Sequence, residues 1–161
     1  MPEASDRETL DHANVIVMPP LLHIGSILLG VLAYWLLRVE FPLAFAFRML
    51  LGVALLGGGV TVAMSFGLAF RRTGQDPNPN TPTPRVITSG FYRYSRNPAY
   101  LSLVVIQVGV ALLFNNAWIL LALLPALVTM HYGVIIREEA YLERKFGDEY
   151  LRYKESVRRW L

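Results

Sequence analysis

Three long runs in this chain carry no charged residue: 21–37, 49–70 and 99–136, the last of them 38 residues long. Such runs leave few ways to fold. About 20 apolar residues, each rising about 1.5 Å, cross the hydrocarbon of a bilayer as a helix, and a helix satisfies its own backbone hydrogen bonds there. The third run is long enough for two crossings, and Asn115-Asn116 offers the break between them. The pattern therefore predicts an all-α integral membrane protein with four transmembrane helices, over about 17–38, 48–70, 98–114 and 117–137. A composition of 54% hydrophobic and 17% charged residues is too apolar for an ordinary soluble domain. His23 interrupts the first span, but Pro19-Pro20 supplies a start. That span does not read as a cleaved signal, because no basic region leads it and no small-residue cleavage site follows it.

Charge placement sets the expected orientation. Of 15 Lys and Arg, one precedes the first span, five lie in 71–97 and seven follow Ile136, while only Arg38 and Arg48 flank the first loop. Four spans place 13 basic residues on one side and two on the other, so both termini and the 71–97 loop are expected in the cytoplasm. The net charge of +3 then reads as orientation and attraction to anionic lipid, not nucleic-acid binding. The absence of cysteine excludes disulfides, thiolate nucleophiles and Cys-ligated metals. Histidines at 12, 23 and 131 share no ligand spacing, so no metal site is expected.

The chain reads as a single membrane domain, 1–161. Its parts are a polar lead-in (1–16), two spans (17–70), a cytoplasmic Pro-rich loop and motif (71–97), a helical hairpin (98–137) and a cytoplasmic helical segment (138–161). Gly52, Gly57, Gly58, Gly59 and Gly67 in the second span suit close helix packing, with room for a ligand as the alternative for the triple glycine. Four prolines between Gln75 and Pro84 forbid a helix and suggest an extended lid. Asn97-Pro98 reads as N-cap and first residue of the third span. Helix 4 is expected to run to Phe146 with Gly147 as its C-cap, before an amphipathic helix to about Arg158. Phe146, Tyr150, Tyr153, Val157 and Trp160 form its apolar face, opposite Arg152, Glu155 and Arg159.

Chemistry concentrates at the cytoplasmic ends of the hairpin. The stretch Gly90-Phe-Tyr-Arg-Tyr-Ser-Arg-Asn-Pro-Ala-Tyr100 leads into it, and Arg137-Glu138-Glu139 follows it. Ionisable residues at membrane depth are functional candidates with a partner to be named, and Arg96 is the partner proposed for the glutamates. His131 lies seven residues before Glu138, hence on nearly the same helix face, and Tyr132 lies likewise beneath Glu139. Taken singly, Arg96 also fits an interfacial anchor, the glutamates a solvated pair, His131 a packed histidine and Asn97 a helix cap. Simple anchoring does not predict their combination.

The run Thr88-Ser-Gly-Phe-Tyr-Arg-Tyr-Ser-Arg-Asn-Pro-Ala-Tyr-Leu101 resembles the motif of the isoprenylcysteine carboxyl methyltransferase and phospholipid methyltransferase superfamily. So does Arg137-Glu-Glu-x-x-Leu-x-x-x-Phe-Gly-x-x-Tyr-x-x-Tyr-x-x-x-Val-x-Arg-Trp160. The resemblance covers about 73–161. It implies an integral-membrane, S-adenosylmethionine-dependent methyltransferase acting on a lipophilic or lipid-borne carboxylate or amine, in a bacterial inner membrane. It further implies a cofactor site from Tyr92, Asn97, Pro98, Tyr100, Leu101, His131 and Glu138, braced by Tyr150 and Tyr153. Arg96, Glu139 and Arg158 are its implied catalytic set. Where prenylcysteine enzymes typically read Arg-His-Pro, this chain reads Arg96-Asn97-Pro98, similar to the Asn-Pro of phospholipid methyltransferases. Two alternatives stay open at this point. Membrane sterol reductases carry a similar pattern but use NADPH, and a non-enzymatic scaffold needs the motif only to pin a hairpin.

Overall fold

The computed structural model describes residues 11–74 and 78–161, without the side chains of residues 69 and 71–73. Residues 1–10 of the polar lead-in and 75–77 of the Pro-rich segment lie outside the described residues. Within them every regular element is helical: α1 (Pro19–Leu36), α2 (Phe45–Thr73), a 3₁₀ turn (Gly90–Arg93), α3 (Pro98–Leu113) and α4 (Ala117–Met130). A π-helical turn (His131–Ile135) then joins α4 to α5 (Ile136–Phe146), and α6 (Asp148–Ser156) follows. Among the described residues three helices are long and apolar enough to cross a membrane, namely α1, α2 and the continuous Ala117–Phe146. The fourth expected span, α3, is apolar but only 16 residues long, about 24 Å at the helical rise.

Local chemistry sets the helix ends. Prolines open α1 and α3, where a missing N–H costs no hydrogen bond. Asn115 adopts a left-handed φ of 51° in the turn between α3 and α4. Asn116 caps α4, its Oδ1 accepting from Trp118 N–H at 2.9 Å and Ile119 N–H at 3.4 Å. The same turn holds the α1–α2 loop: Phe41 N–H donates to Asn115 Oδ1 at 3.1 Å and Ala117 N–H to the Val39 carbonyl at 3.0 Å. Arg48 is buried and donates to the carbonyls of Leu112 and Leu113, satisfying the open C-terminus of α3.

The helices lie in the order α2–α3–α4–α1, with α2 along α3 and α1 along α4. Lipid supplies no hydrophobic drive between helices, so close backbone approach carries the packing. A Cβ placed on Gly109 would sit 2.7 Å from the Leu56 nitrogen, and one on Gly30 2.6 Å from the Ile119 Cα. Gly52 and Gly59 likewise face α3, whereas Gly57 meets nothing within 4 Å. The triple glycine is thus split between a packed and an open side. Large side chains such as Leu28, Leu32, Trp35 and Leu50 stay exposed on the outer faces, as a lipid-facing surface requires.

Buried polar side chains tie α1, α3 and α4 together. Gln107 Nε2 donates to Ser26 Oγ at 2.8 Å and to the Ile119 carbonyl at 3.0 Å, so its Oε1 is the acceptor that faces His23 Nδ1 at 2.6 Å. Ser26 Oγ donates in turn to the Ala122 carbonyl at 2.9 Å. At the other end of the bundle, Ala13, Val15, Met130, Val134, Ile135 and Tyr141 form a packed core.

These contacts predict opposite signs for similar substitutions. Gly30→Ala and Gly109→Ala force a methyl into backbone and should each destabilise by about 1–3 kcal/mol. Gly57→Ala adds helix propensity without a clash and should be neutral or stabilising by up to about 1 kcal/mol. Thermal unfolding of the detergent-solubilised variants measures both.

Candidate functional site

Glu139 is the organising residue at the arginine-motif end of the bundle. It is 6% exposed, and a buried carboxylate persists only with compensating partners. It has two. Arg159 grips it through both oxygens, Nε to Oε1 at 2.9 Å and Nη2 to Oε2 at 2.8 Å. The Arg96 Nη1 lies 3.1 Å from Oε1. Arg159 reaches Glu139 because α6 stops at Ser156 and the chain turns extended at Val157. The extended tail then docks on the arginine motif: Arg96 N–H donates to the Arg158 carbonyl at 2.9 Å. Ser95 Oγ and Asn97 Nδ2 both donate to the Arg159 carbonyl, at 3.2 and 3.1 Å.

Beside this ion pair lies a cavity of about 200 Å³. Its polar wall includes Arg96, Asn97, Glu138 and Glu139, and its aromatic wall Phe66, Tyr92, Tyr100, Tyr150 and Tyr153. Tyr100 OH donates to Glu138 Oε1 at 2.5 Å, linking α3 to α5 across the cavity. Tyr153 OH donates to the Tyr92 carbonyl at 2.8 Å and holds the 3₁₀ turn in place. The side chain of Arg96 is 9% exposed, yet its Nε and Nη1 make no hydrogen bond among the described residues. Buried donors without acceptors are costly, and they mark a place where a ligand oxygen would fit.

Two segments roof the cavity. The lead-in segment carries Ala13 into the lining, and Ile16 N–H donates at 3.0 Å to the carbonyl of Gly133 in the π turn. The Pro-rich loop contributes Pro79, Thr83, Arg85, Val86 and Ile87. Both converge on the buried Tyr141: its OH lies 3.1 Å from the Asp11 carbonyl and from Asp11 Oδ1, and accepts from Thr83 N–H at 3.1 Å. Lys145 adds an ion pair to Asp11 at 2.5 Å.

Of the twelve residues singled out from the sequence, eight line this cavity: Tyr92, Arg96, Asn97, Tyr100, Glu138, Glu139, Tyr150 and Tyr153. Pro98 and Leu101 line a separate apolar recess with Gly58, Val62 and Phe91. His131 lines neither, and its ring packs edge-on against Tyr132. The seven-residue spacing to Glu138 assumed an unbroken α-helix, but the intervening π turn shifts the register by about one residue, on the order of 100°. Tyr132 accordingly stays 65% exposed while Glu139 is buried. Arg158, expected in the catalytic set, is exposed and contributes its carbonyl, while its neighbour Arg159 carries the ion pair to Glu139. Asn97 starts α3 without a side-chain cap, its amide being committed to the Arg159 carbonyl. Nothing in the sequence marks Tyr141, Phe66 or the extended segment 11–16 as site residues, and for Arg159 the one sign is its place as the arginine of the matched tail motif.

Comparison with known proteins adds three findings. The family model described as phospholipid methyltransferase matches residues 47–149, which takes in α2 as well as the hairpin and α5. An uncharacterized protein of Haemophilus influenzae is 47% identical over 62 residues, covering 38% of this chain and 98% of that relative. A protein-S-isoprenylcysteine O-methyltransferase of Schizosaccharomyces pombe is 33% identical over 72 residues, covering 45% of this chain but 30% of the yeast protein. No solved structure matches.

The phenols of the site hold their protons. Burial pushes Tyr150 and Tyr153 up to about 12, and burial with the Glu138 charge raises Tyr92 as well. The unfolded chain releases these protons near the ordinary value of 10.0, before the folded chain does. The unfolded state then binds fewer protons, so stability falls as pH rises from about 10 through about 12. Unfolding midpoints measured between about pH 9.5 and 11.5 should drop more steeply for the wild type than for Tyr150→Phe/Tyr153→Phe.

Proposed function

The chain belongs to the phospholipid methyltransferase family, and on that footing we propose that it transfers a methyl group from S-adenosylmethionine to a lipophilic or lipid-borne acceptor, carboxylate or amine, at the cytoplasmic face of a membrane. The observation that carries this reading is Arg96, nine-tenths buried in a cavity with donors unspent, in the same lining as the carboxylate of Glu138. A zwitterionic amino-acid moiety presents the complementary pair, a carboxylate and an ammonium. The family match and the yeast relative both name methyltransferases, which favours this reading over a reductase or a scaffold.

S-adenosylmethionine, when bound, supplies an electrophilic methyl group on a sulfonium. The protein's residues position and shield. Glu138 is placed to accept from the ammonium or ribose hydroxyls, Arg96 to donate to a carboxylate, and the tyrosine faces to attract a cation. In-line methyl transfer needs no covalent help, and orientation alone can lower a barrier by about 7–11 kcal/mol. The two roof segments keep water from the nucleophile. Both oxygens of Glu139 are taken up by arginines, so it serves as a positioning residue. The proton of an amine acceptor then goes to Glu138 or to water. In this reading α3 is the fourth crossing, and the 13-to-two asymmetry of basic residues puts the cavity on the cytoplasmic side.

Two measurements test it. Calorimetric titration with S-adenosylhomocysteine should give saturable binding in the wild type, weakened about tenfold or more by Arg96→Ala and by Glu138→Ala, the loss of one charge-assisted contact each. Binding unchanged in both variants removes the proposed pocket. Because the chain has no cysteine, Leu43→Cys and Thr88→Cys report topology cleanly. An impermeant maleimide applied to intact cells should label position 43 alone.

A further inference from the structure

We propose that Arg85 is a specificity residue that receives an oxyanion of the bound ligand, a carboxylate or a phosphate, at the mouth of the cavity whose lining also holds the buried guanidinium of Arg96. The inference rests on the cavity being the methyl-transfer site. Arg85 and Arg96 are the two cationic side chains in the described lining, and Glu138 and Glu139 the two carboxylates. One carboxylate is fully paired and the other half-paired. Glu139 is held by Arg96 and Arg159, and Glu138 accepts from Tyr100. Arg85 makes no hydrogen bond or ion pair among the described residues. The cavity therefore contains two guanidinium groups with unused donors, and among the described residues the remaining oxygen of Glu138 pairs with neither. Each guanidinium can take a charge-assisted contact from an oxyanion of a ligand lying in the cavity.

The loop that carries Arg85 is held in place rather than loose. Pro82 and Pro84 restrict its backbone, and Thr83 N–H is fixed on the buried Tyr141 hydroxyl. Val86 and Ile87 then continue the lining, so the segment on both sides of Arg85 faces the same space. Arg85 itself remains exposed, at the mouth rather than the floor. A guanidinium there meets the end of a ligand that lies away from the reacting centre. That oxyanion is either the amino-acid carboxylate of the methyl donor or an anionic group on the head of a lipid acceptor.

The test uses the full chain in neutral detergent and three probes: S-adenosylhomocysteine, 5′-methylthioadenosine (which lacks the amino-acid part) and dihexanoyl phosphatidic acid. If Arg85→Gln weakens S-adenosylhomocysteine about tenfold and spares methylthioadenosine, with Arg85→Lys recovering part of the loss, the oxyanion is the donor's carboxylate. If both nucleosides bind as in wild type and dihexanoyl phosphatidic acid weakens about tenfold, it is a lipid phosphate. Unchanged binding of all three overturns the role of Arg85 and leaves the methyl-transfer reading standing. Equal loss of all three in both variants signals a collapsed cavity and also overturns it. A wild-type chain that binds no S-adenosylhomocysteine brings down the methyl-transfer reading itself.

Discussion

The structure depends on how one carboxylate is neutralised. Glu139 sits buried where an apolar helix ends, and a lone ionised group there would be among the most expensive features a fold can carry. Its partners come from two directions in the sequence. Arg96 lies just before α3, and Arg159 lies in the last three residues. Satisfying Glu139 therefore brings the arginine motif, the end of the long helix and the C-terminal tail to one point. Backbone hydrogen bonds from Arg96 to Arg158, with Ser95 and Asn97 on the Arg159 carbonyl, hold the arrangement once formed. The cavity is the space left beside this junction, bridged by the Tyr100–Glu138 contact.

A site assembled from distant segments needs rigid helices to hold it. In lipid that rigidity comes from small residues and buried polar contacts, because apolar side chains gain little by leaving apolar surroundings. Gly30, Gly52, Gly59 and Gly109 allow backbones to meet, and Gln107 fixes α3 against α1 and α4 through three hydrogen-bonding partners. Arg48 closes the far end of α3. With both its ends and its middle constrained, α3 has little freedom to slide, and Tyr100 stands one turn from its start.

The helices were legible because uncharged runs of membrane length permit few other structures. The second span expected over 48–70 is Phe45–Thr73, and the break at Asn115-Asn116 is where the chain turns. What was hidden depended on single-residue register. A π turn has no composition signal; Gly133 inside an apolar run is its nearest trace, and its presence moves His131 off the face that carries Glu138. Ending α6 at Ser156 instead of two residues later takes Arg159 from a polar helix face into an ion pair. Asn97 looks like a cap because its position is one, yet its side chain is turned to donate through Nδ2 to the Arg159 carbonyl across the fold, and it accepts from no N–H of α3. The lead-in part of the roof is invisible in the sequence because a few residues without periodicity carry no sign of where they dock.

The two roof segments share one anchor, and that has a consequence for how the cavity closes. Asp11 and Thr83 both engage the single hydroxyl of Tyr141, which is 4% exposed. A hydroxyl offers one donor and two acceptor positions, so Tyr141 donates to Asp11 while accepting from the Thr83 amide. Displacing either segment leaves the phenol and the other segment with a weakened bond at a site with little water to replace it. The lead-in segment and the loop are thereby coupled, and covering the cavity is a joint event rather than two independent ones. The same residue lies on the helix that carries Glu138 and Glu139, two or three positions away. Closure of the roof and placement of the carboxylates are therefore set by one short stretch of helix beyond the π turn.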